Sequence, residues 1–210
     1  MIIIPEIETV VILVPRTGTG SIRRAVAATY PKSMLIYRHM EDDGVPSGYD
    51  RWRRIGVVRR PLDRLWSLYK FMRGYHHVRP DKGPAYIDAL HRSTARPFDD
   101  WLLNNETVFS DPHDTAGEGR FFPLYTSRHQ LPENRKSQFL YLRPDLGTTV
   151  HPFDQIDIVA HSLGIALGRQ NATEPEPLPA LSPAGLTHIR KFHGWDIEAA
   201  GGISSEVSND

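Results

Sequence analysis

The sequence predicts an α/β fold, a single domain over residues 1–210 with a central parallel sheet flanked by helices. Three observations predict it. Val10 to Val14 is an unbroken apolar run stopped by Pro15, the pattern of a strand covered on both faces. Arg54 to Val58 is a second β-rich run, ending at Arg59. Apolar residues recur at helical spacing after each of them, and strands alternating with helices imply parallel βαβ units. A length of 210 residues suffices for a full core.

The elements follow in order. The opening stretch MIIIPEIETVVILV is apolar, but Pro5, Glu6 and Glu8 interrupt it, no basic region precedes it, and it is too short to span a bilayer. It reads as buried strand. From Gly20 a helix is expected, because Ile22, Ala25, Val26 and Thr29 share one face, and Pro31 ends it. Ser33 to Tyr37 reads as a second strand, Glu41 to Asp50 as a polar loop, and Arg54 to Val58 as a third strand. Pro61 then opens a helix whose buried stripe is Leu62, Leu65, Trp66 and Tyr69, with Asp63 and Ser67 together on another face. Ile87 to Leu90 and Pro97 to Leu103 are expected to be short helices, Ser110 to Gly119 a loop, Gln138 to Leu142 a strand and Val159 to Leu167 a helix. The proline-rich segment Asn171 to Ser182 must be irregular. Ser182 caps a last helix, Pro183 to Phe192.

Composition narrows the function. There is no cysteine, which excludes disulfides and thiolate metal sites and is compatible with a reducing, cytoplasmic location. Formal net charge is zero, which argues against nucleic acid or a membrane surface as partner. The distribution says more. Between Arg51 and Pro80 stand eight Arg and one Lys against one acid, Asp63, whereas six acids face two bases from Glu174 onward. Such a local patch fits a small anionic ligand. Arg outnumbers Lys twenty to five, and the guanidinium fork matches phosphate and sulfate oxygens.

The chemistry concentrates at two turns. In PRTGTGS a loop of small residues joins strand to helix, exposing backbone amides where the helix dipole favours negative charge. Gly18 and Gly20 allow close approach, Thr17, Thr19 and Ser21 offer hydroxyls, and Arg16 adds positive charge. The loop is P-loop-like without being a Walker A sequence, since no Lys follows Gly20. Arg59 stands where open α/β sheets bind ligands, with Ser67 two turns into the next helix. Taken alone, Arg59, Arg60 and Arg64 would read as a solvated helix face. The ten histidines include no HExxH, and His76/His77 and His188/His193 lack a clustered carboxylate, so no metal is expected. Trp52, Trp66, Trp101 and Trp195 read as core or rim, and Tyr75 to Arg79 as surface loop.

Taken together, PRTGTGSI resembles the 5′-phosphosulfate loop of the sulfotransferases, and VVRRPLDRLWSLY resembles their 3′-phosphate motif, in the same order and at a similar separation. Weaker likeness continues through FDDWL, FLYLRPD, the loop NAT and LSPAGLTHIRKFHGWDIE, the last similar to the Golgi carbohydrate group. The resemblance implies 3′-phosphoadenosine 5′-phosphosulfate (PAPS) as donor, without a required metal, and transfer of its sulfuryl group to a hydroxyl or amine, with a carbohydrate as the expected acceptor. By position it puts Arg16 at the bridging oxygen. Thr17, Gly18, Thr19, Gly20 and Ser21 would surround the 5′-phosphosulfate, with Ile22 closing the motif, and Arg59 and Ser67 would clamp the 3′-phosphate. Asn171 and Thr173 would close over the nucleotide.

Departures from the pattern are specific. Gly20 replaces a common hydroxyl residue, Arg60 replaces an Asp or Asn, and a His-x-x-Pro element appears as Arg120 to Pro123. A base must accept the acceptor's proton, and the chain after the second strand supplies two candidates. His39 comes first, because an imidazole titrates near neutral pH, and Glu41 second. A P-loop kinase of small substrates and a non-catalytic nucleotide-binding protein are the competing readings, the former weakened by the missing Lys.

Overall fold

The computed structural model describes residues 1–74, 84–109, 129–168 and 176–205. In chain order the strands are β1 (Ile2–Ile4), β2 (Thr9–Ile12), β3 (Met34–Leu35), β4 (Arg53–Val58) and β5 (Thr149–Pro152). The described helices are α1 (Thr19–Thr29), α2 (Pro61–Arg73), α3 (Pro84–Thr94), α4 (Phe98–Asn104), α5 (Phe139–Leu142), α6 (Ile156–Ser162) and α7 (Pro183–Ala199). The class is α/β, as the sequence implies, but the sheet is mixed rather than parallel. Its order is β3-β1-β2-β4-β5, with β1 antiparallel to both neighbours and β2, β4 and β5 mutually parallel.

The antiparallel strand has a local cause. Pro5 cannot donate to a ladder, so the opening apolar run breaks there into a 3-10 turn, Pro5–Ile7. Glu8 then takes a left-handed conformation, φ 47°, and the chain reverses. A connection this short can only join antiparallel strands. Hence the single strand expected at the N-terminus is two strands of a hairpin.

Two other expectations fail. Gln138 to Leu142 is not a strand: Phe139–Leu142 forms one helical turn that buries Tyr141 and Leu142. A short apolar run carries too little periodicity to separate the two states. The outer position of the sheet is instead taken by β5, whose sequence TVHP shows little strand signal and whose Pro152 is tolerated because the strand lies at the edge. The strand expected over Ser33 to Tyr37 pairs only at Met34–Leu35. Helix α6 begins three residues before the expected Val159 and stops at Ser162, two residues short of Gly164 at φ 63°. Helix α7 runs seven residues beyond Phe192, through a kink at His193 (φ −125°, ψ 26°). The Ser182 cap is present, its hydroxyl accepting from the Gly185 amide at 3.1 Å.

The layers follow from alternation along the strands. Val11, Leu13, Ile55 and Val57 face α1 and α6, burying Ile22, Val26 and Val159. Val10, Ile12 and Val58 face the other way, onto Tyr141 and Leu142 of α5. Gly56 makes that contact possible, since a Cβ there would lie 2.2 Å from Leu142 Cδ2. Helices α2, α3, α4 and α7 enclose a third cluster around the fully buried Trp101. Trp66 flanks that cluster, stacked on Tyr69 at 5.5 Å. Among the described residues no helix is long and apolar enough to cross a membrane.

Candidate functional site

Strands β2 and β4 lie side by side and parallel, yet the connections leaving them diverge. From β2 the chain goes through α1 to β3 at one edge, and from β4 through α2 onward to β5 at the other. A crevice opens where such connections part, outside the carboxyl ends of the two strands. Here it is a cleft of about 830 Å³.

The first wall is the loop after β2. Thr17 turns inward, its hydroxyl donating to the Val14 carbonyl at 3.0 Å, and Arg16 and Gly18 both take positive φ, 69° and 76°. Gly18 is required twice over: its conformation disfavours a side chain, and a Cβ would stand 2.7 Å from Ile156 Cδ1. Gly18 then starts α1 with its carbonyl, accepting from the amides of Ser21 and Ile22 at 3.0 and 3.2 Å. No side chain caps this helix, and Gly18, Thr19, Gly20 and Ser21 line the cleft. Of the expected phosphate cradle, therefore, Thr17 spends its hydroxyl on the loop itself. Ile22 is core, 2% exposed.

Arg59 and Ser67 form the second wall, on β4's end and on α2. The two anion grips read at the two turns are in contact. Arg16 Nε donates to Ser67 Oγ at 3.0 Å, and Arg59 NH1 donates to the Arg16 carbonyl at 3.2 Å. The guanidinium of Arg16 lies 4.7 Å from the centre of the Phe71 ring, that of Arg59 5.0 Å from Phe153. Neither forms an ion pair with a carboxylate among the described residues. Burial pushes the pKa of each below the usual arginine value; Arg59 adds to the effect on Arg16, and Asp63 partly counters it for Arg59. Around them the cleft is basic. Arg16, Arg23, Arg24, Arg38, Arg59 and Lys70 line it against Asp63, Asp157 and Glu176. Lys70 is 3.7 Å from Glu176, and Asp63 accepts from Ser204 Oγ and the Ser205 amide.

The two candidate bases part company. His39 lines the cleft, and its Nδ1 lies 3.1 Å from the Leu13 carbonyl. A carbonyl only accepts, so Nδ1 carries the proton and the basic lone pair of the neutral ring is on Nε2. Glu41 is elsewhere: fully buried, it pairs with Lys136 Nζ at 2.8 Å and does not reach the cleft. Arg64 is also displaced from its expected place on a solvated face. It is 0% exposed and pairs with Glu133 at 2.6 Å, while Tyr141 donates its hydroxyl to the other Glu133 oxygen at 2.7 Å. Arg60 does stay partly exposed, 3.7 Å from Asp154. Helical spacing offered one signal for Arg64, which stands four residues before the buried Leu68 and three after Pro61.

Two polar groups went unread. Gln138 Oε1 accepts from the Arg59 amide at 3.0 Å, and its Nε2 donates to the Arg59 carbonyl at 2.7 Å. Asp196 accepts from the Gln138 amide, Ser137 Oγ and His193 Nδ1. His193 thus has the carboxylate neighbour that the sequence left unassigned, and among the described residues no group of three His, Asp or Glu is placed to hold a metal ion. Asn171, Thr173, Tyr75 to Arg79 and Arg120 to Pro123 lie outside the described residues. Compared with protein-family models, curated proteins and solved structures, the chain finds no match.

Proposed function

We propose that the chain is a P-loop-like sulfotransferase that takes its sulfuryl group from PAPS and gives it to a hydroxyl or amine, with a carbohydrate as the acceptor class. One observation carries the reading: Arg16 and Arg59, both largely buried and neither in an ion pair with a carboxylate among the described residues, converge beside an uncapped helix N-terminus at the switch point of the sheet. Burying two guanidinium groups side by side, with Asp63 offsetting only part of the effect on Arg59, is costly, and a bound anion relieves both the desolvation and the repulsion. The motif resemblance states which anion. The carbohydrate choice rests on the likeness of the C-terminal helix.

The donor, when bound, supplies a sulfuryl group activated by a phosphate leaving group. The positive N-terminal end of α1 and the Thr19 and Ser21 hydroxyls serve one anionic end, and Arg16 neutralises charge as it develops on the leaving oxygen. Arg59 and Ser67 hold the 3′-phosphate, which requires Arg16 to yield its hydrogen bond to Ser67. His39 Nε2 accepts the acceptor's proton while the Leu13 carbonyl fixes the ring through Nδ1.

Incubation with ³⁵S-labelled PAPS and a panel of glycans and small alcohols tests this. Labelled product is expected with at least one hydroxyl acceptor, and His39→Ala should cut turnover roughly 10²-fold or more, the usual contribution of a general base, while donor binding is retained. A fully active His39→Ala variant removes His39 as base. Absence of transfer, together with stabilisation by ATP and Mg²⁺, supports the kinase reading instead.

A further inference from the structure

Arg59 occupies a gap in the backbone hydrogen-bonding pattern. The ladder of β4 ends at Val58, paired with Pro152, and α2 begins at Pro61, so the amide and carbonyl of Arg59 belong to neither element. One side chain satisfies both. The Gln138 carboxamide accepts from the amide at 3.0 Å and donates to the carbonyl at 2.7 Å, reproducing the paired bonds of a neighbouring strand. Gln138 is 0% exposed and is not part of the cleft wall. It is itself held from behind, because its amide donates to both Asp196 oxygens at 2.9 and 3.1 Å. Asp196 also accepts from His193 Nδ1 at 3.0 Å, at the kink of α7, while His193 Nε2 lies 3.0 Å from the Asn134 carbonyl. Buried, mutually hydrogen-bonded groups of this kind restrict one another's positions.

We propose that Gln138 is a positioning residue for Arg59: by holding both backbone polar groups of that residue, and being anchored in turn by Asp196 of α7, it sets where the guanidinium meets the 3′-phosphate of the nucleotide. The inference rests on the sulfotransferase reading for the identity of the ligand. It assigns selectivity for the 3′-phosphate partly to a side chain that never enters the cleft. Small displacements of a clamping group cost affinity steeply, so loosening Arg59 should show in recognition of that phosphate above all.

The test is the ratio of affinities for adenosine 3′,5′-bisphosphate and adenosine 5′-monophosphate, measured by calorimetry on the full chain. Gln138→Met keeps side-chain length and removes both hydrogen bonds. The ratio is expected to fall roughly tenfold while affinity for the monophosphate changes little, whereas a purely structural role would lower the melting temperature and leave the ratio alone. If Gln138→Met does not fold, Gln138→Glu retains the shape and the acceptor oxygen but loses the donor to the Arg59 carbonyl, and the same direction of change is expected at pH 8. An unchanged ratio in the folded variant, or an equal loss for both nucleotides, overturns the proposal. A wild-type chain that does not prefer the bisphosphate overturns the sulfotransferase reading itself, and this inference with it.

Discussion

Two arginines set the energetic character of the cleft. Arg16 and Arg59 are held by a hydroxyl, a carbonyl and two aromatic rings, none of which cancels a full positive charge. The lowered pKa values follow from burial first, and their sign matters. For a base whose folded pKa is depressed, the stability penalty is present while the group is charged in both states and is relieved only as pH rises through the folded value, far above neutrality for arginine. The penalty is therefore constant at physiological pH. Arg59→Met should leave the melting temperature of the ligand-free chain unchanged or raise it, while weakening adenosine 3′,5′-bisphosphate at least tenfold, as expected where a site is maintained at the expense of stability. Differential scanning calorimetry alongside a binding titration checks both halves; unchanged affinity contradicts the clamp. Arg16, Gly18 and Arg59 were legible because each stands at a proline- or glycine-punctuated turn after an apolar run. Gln138 and Glu133 were not, because their partners lie 79 and 69 residues away in sequence.

Helix α2 shows how one element serves both core and site. Its buried face carries Leu62, Leu65, Leu68 and Met72, its cleft face carries Ser67, and between them Arg64 enters the interior to meet Glu133. Burial alone would raise the Glu133 pKa, but Arg64, Lys136 and Tyr141 outweigh it and hold the carboxyl below its usual range. A depressed folded pKa gives stability that is complete above the unfolded value and is lost as pH falls through the folded one, so the contribution should fade from about pH 4.5 downward. Glu133→Gln should cost about 3–5 kcal/mol at pH 7, since it strands a fully buried guanidinium, and less at low pH. Urea titrations at pH 7 and pH 3 measure the difference; a loss equal at both values contradicts the assignment. Strands β2 and β4 and helices α1 and α2 could be read from sequence because long apolar runs and prolines mark them locally. By contrast β5 and α5 are four residues each, and tertiary packing, not propensity, decides their state.

Across the molecule, a formal net charge of zero coexists with a cleft lined by more bases than acids. That asymmetry focuses positive potential at the switch point and would speed capture of a small polyanion without making the surface a general anion binder. Three layers keep the arrangement in register: α1 and α6 under one face of the sheet, α5 under the other, and the α2, α3, α4 and α7 cluster beside it. On the proposed reading the ligand is a nucleotide carrying negative charge at two ends, bound without a metal. Titrating adenosine 3′,5′-bisphosphate into the chain in the presence of a chelator, and following the melting temperature, measures this. At a hundred times the dissociation constant, stabilisation of about 2.7 kcal/mol corresponds to a rise of about 5–10 °C for a chain of this length. A rise of that size without Mg²⁺, and a clearly smaller one for the 5′-monophosphate at equal concentration, is the expected result; no shift, or one that appears only with ATP and Mg²⁺, contradicts it.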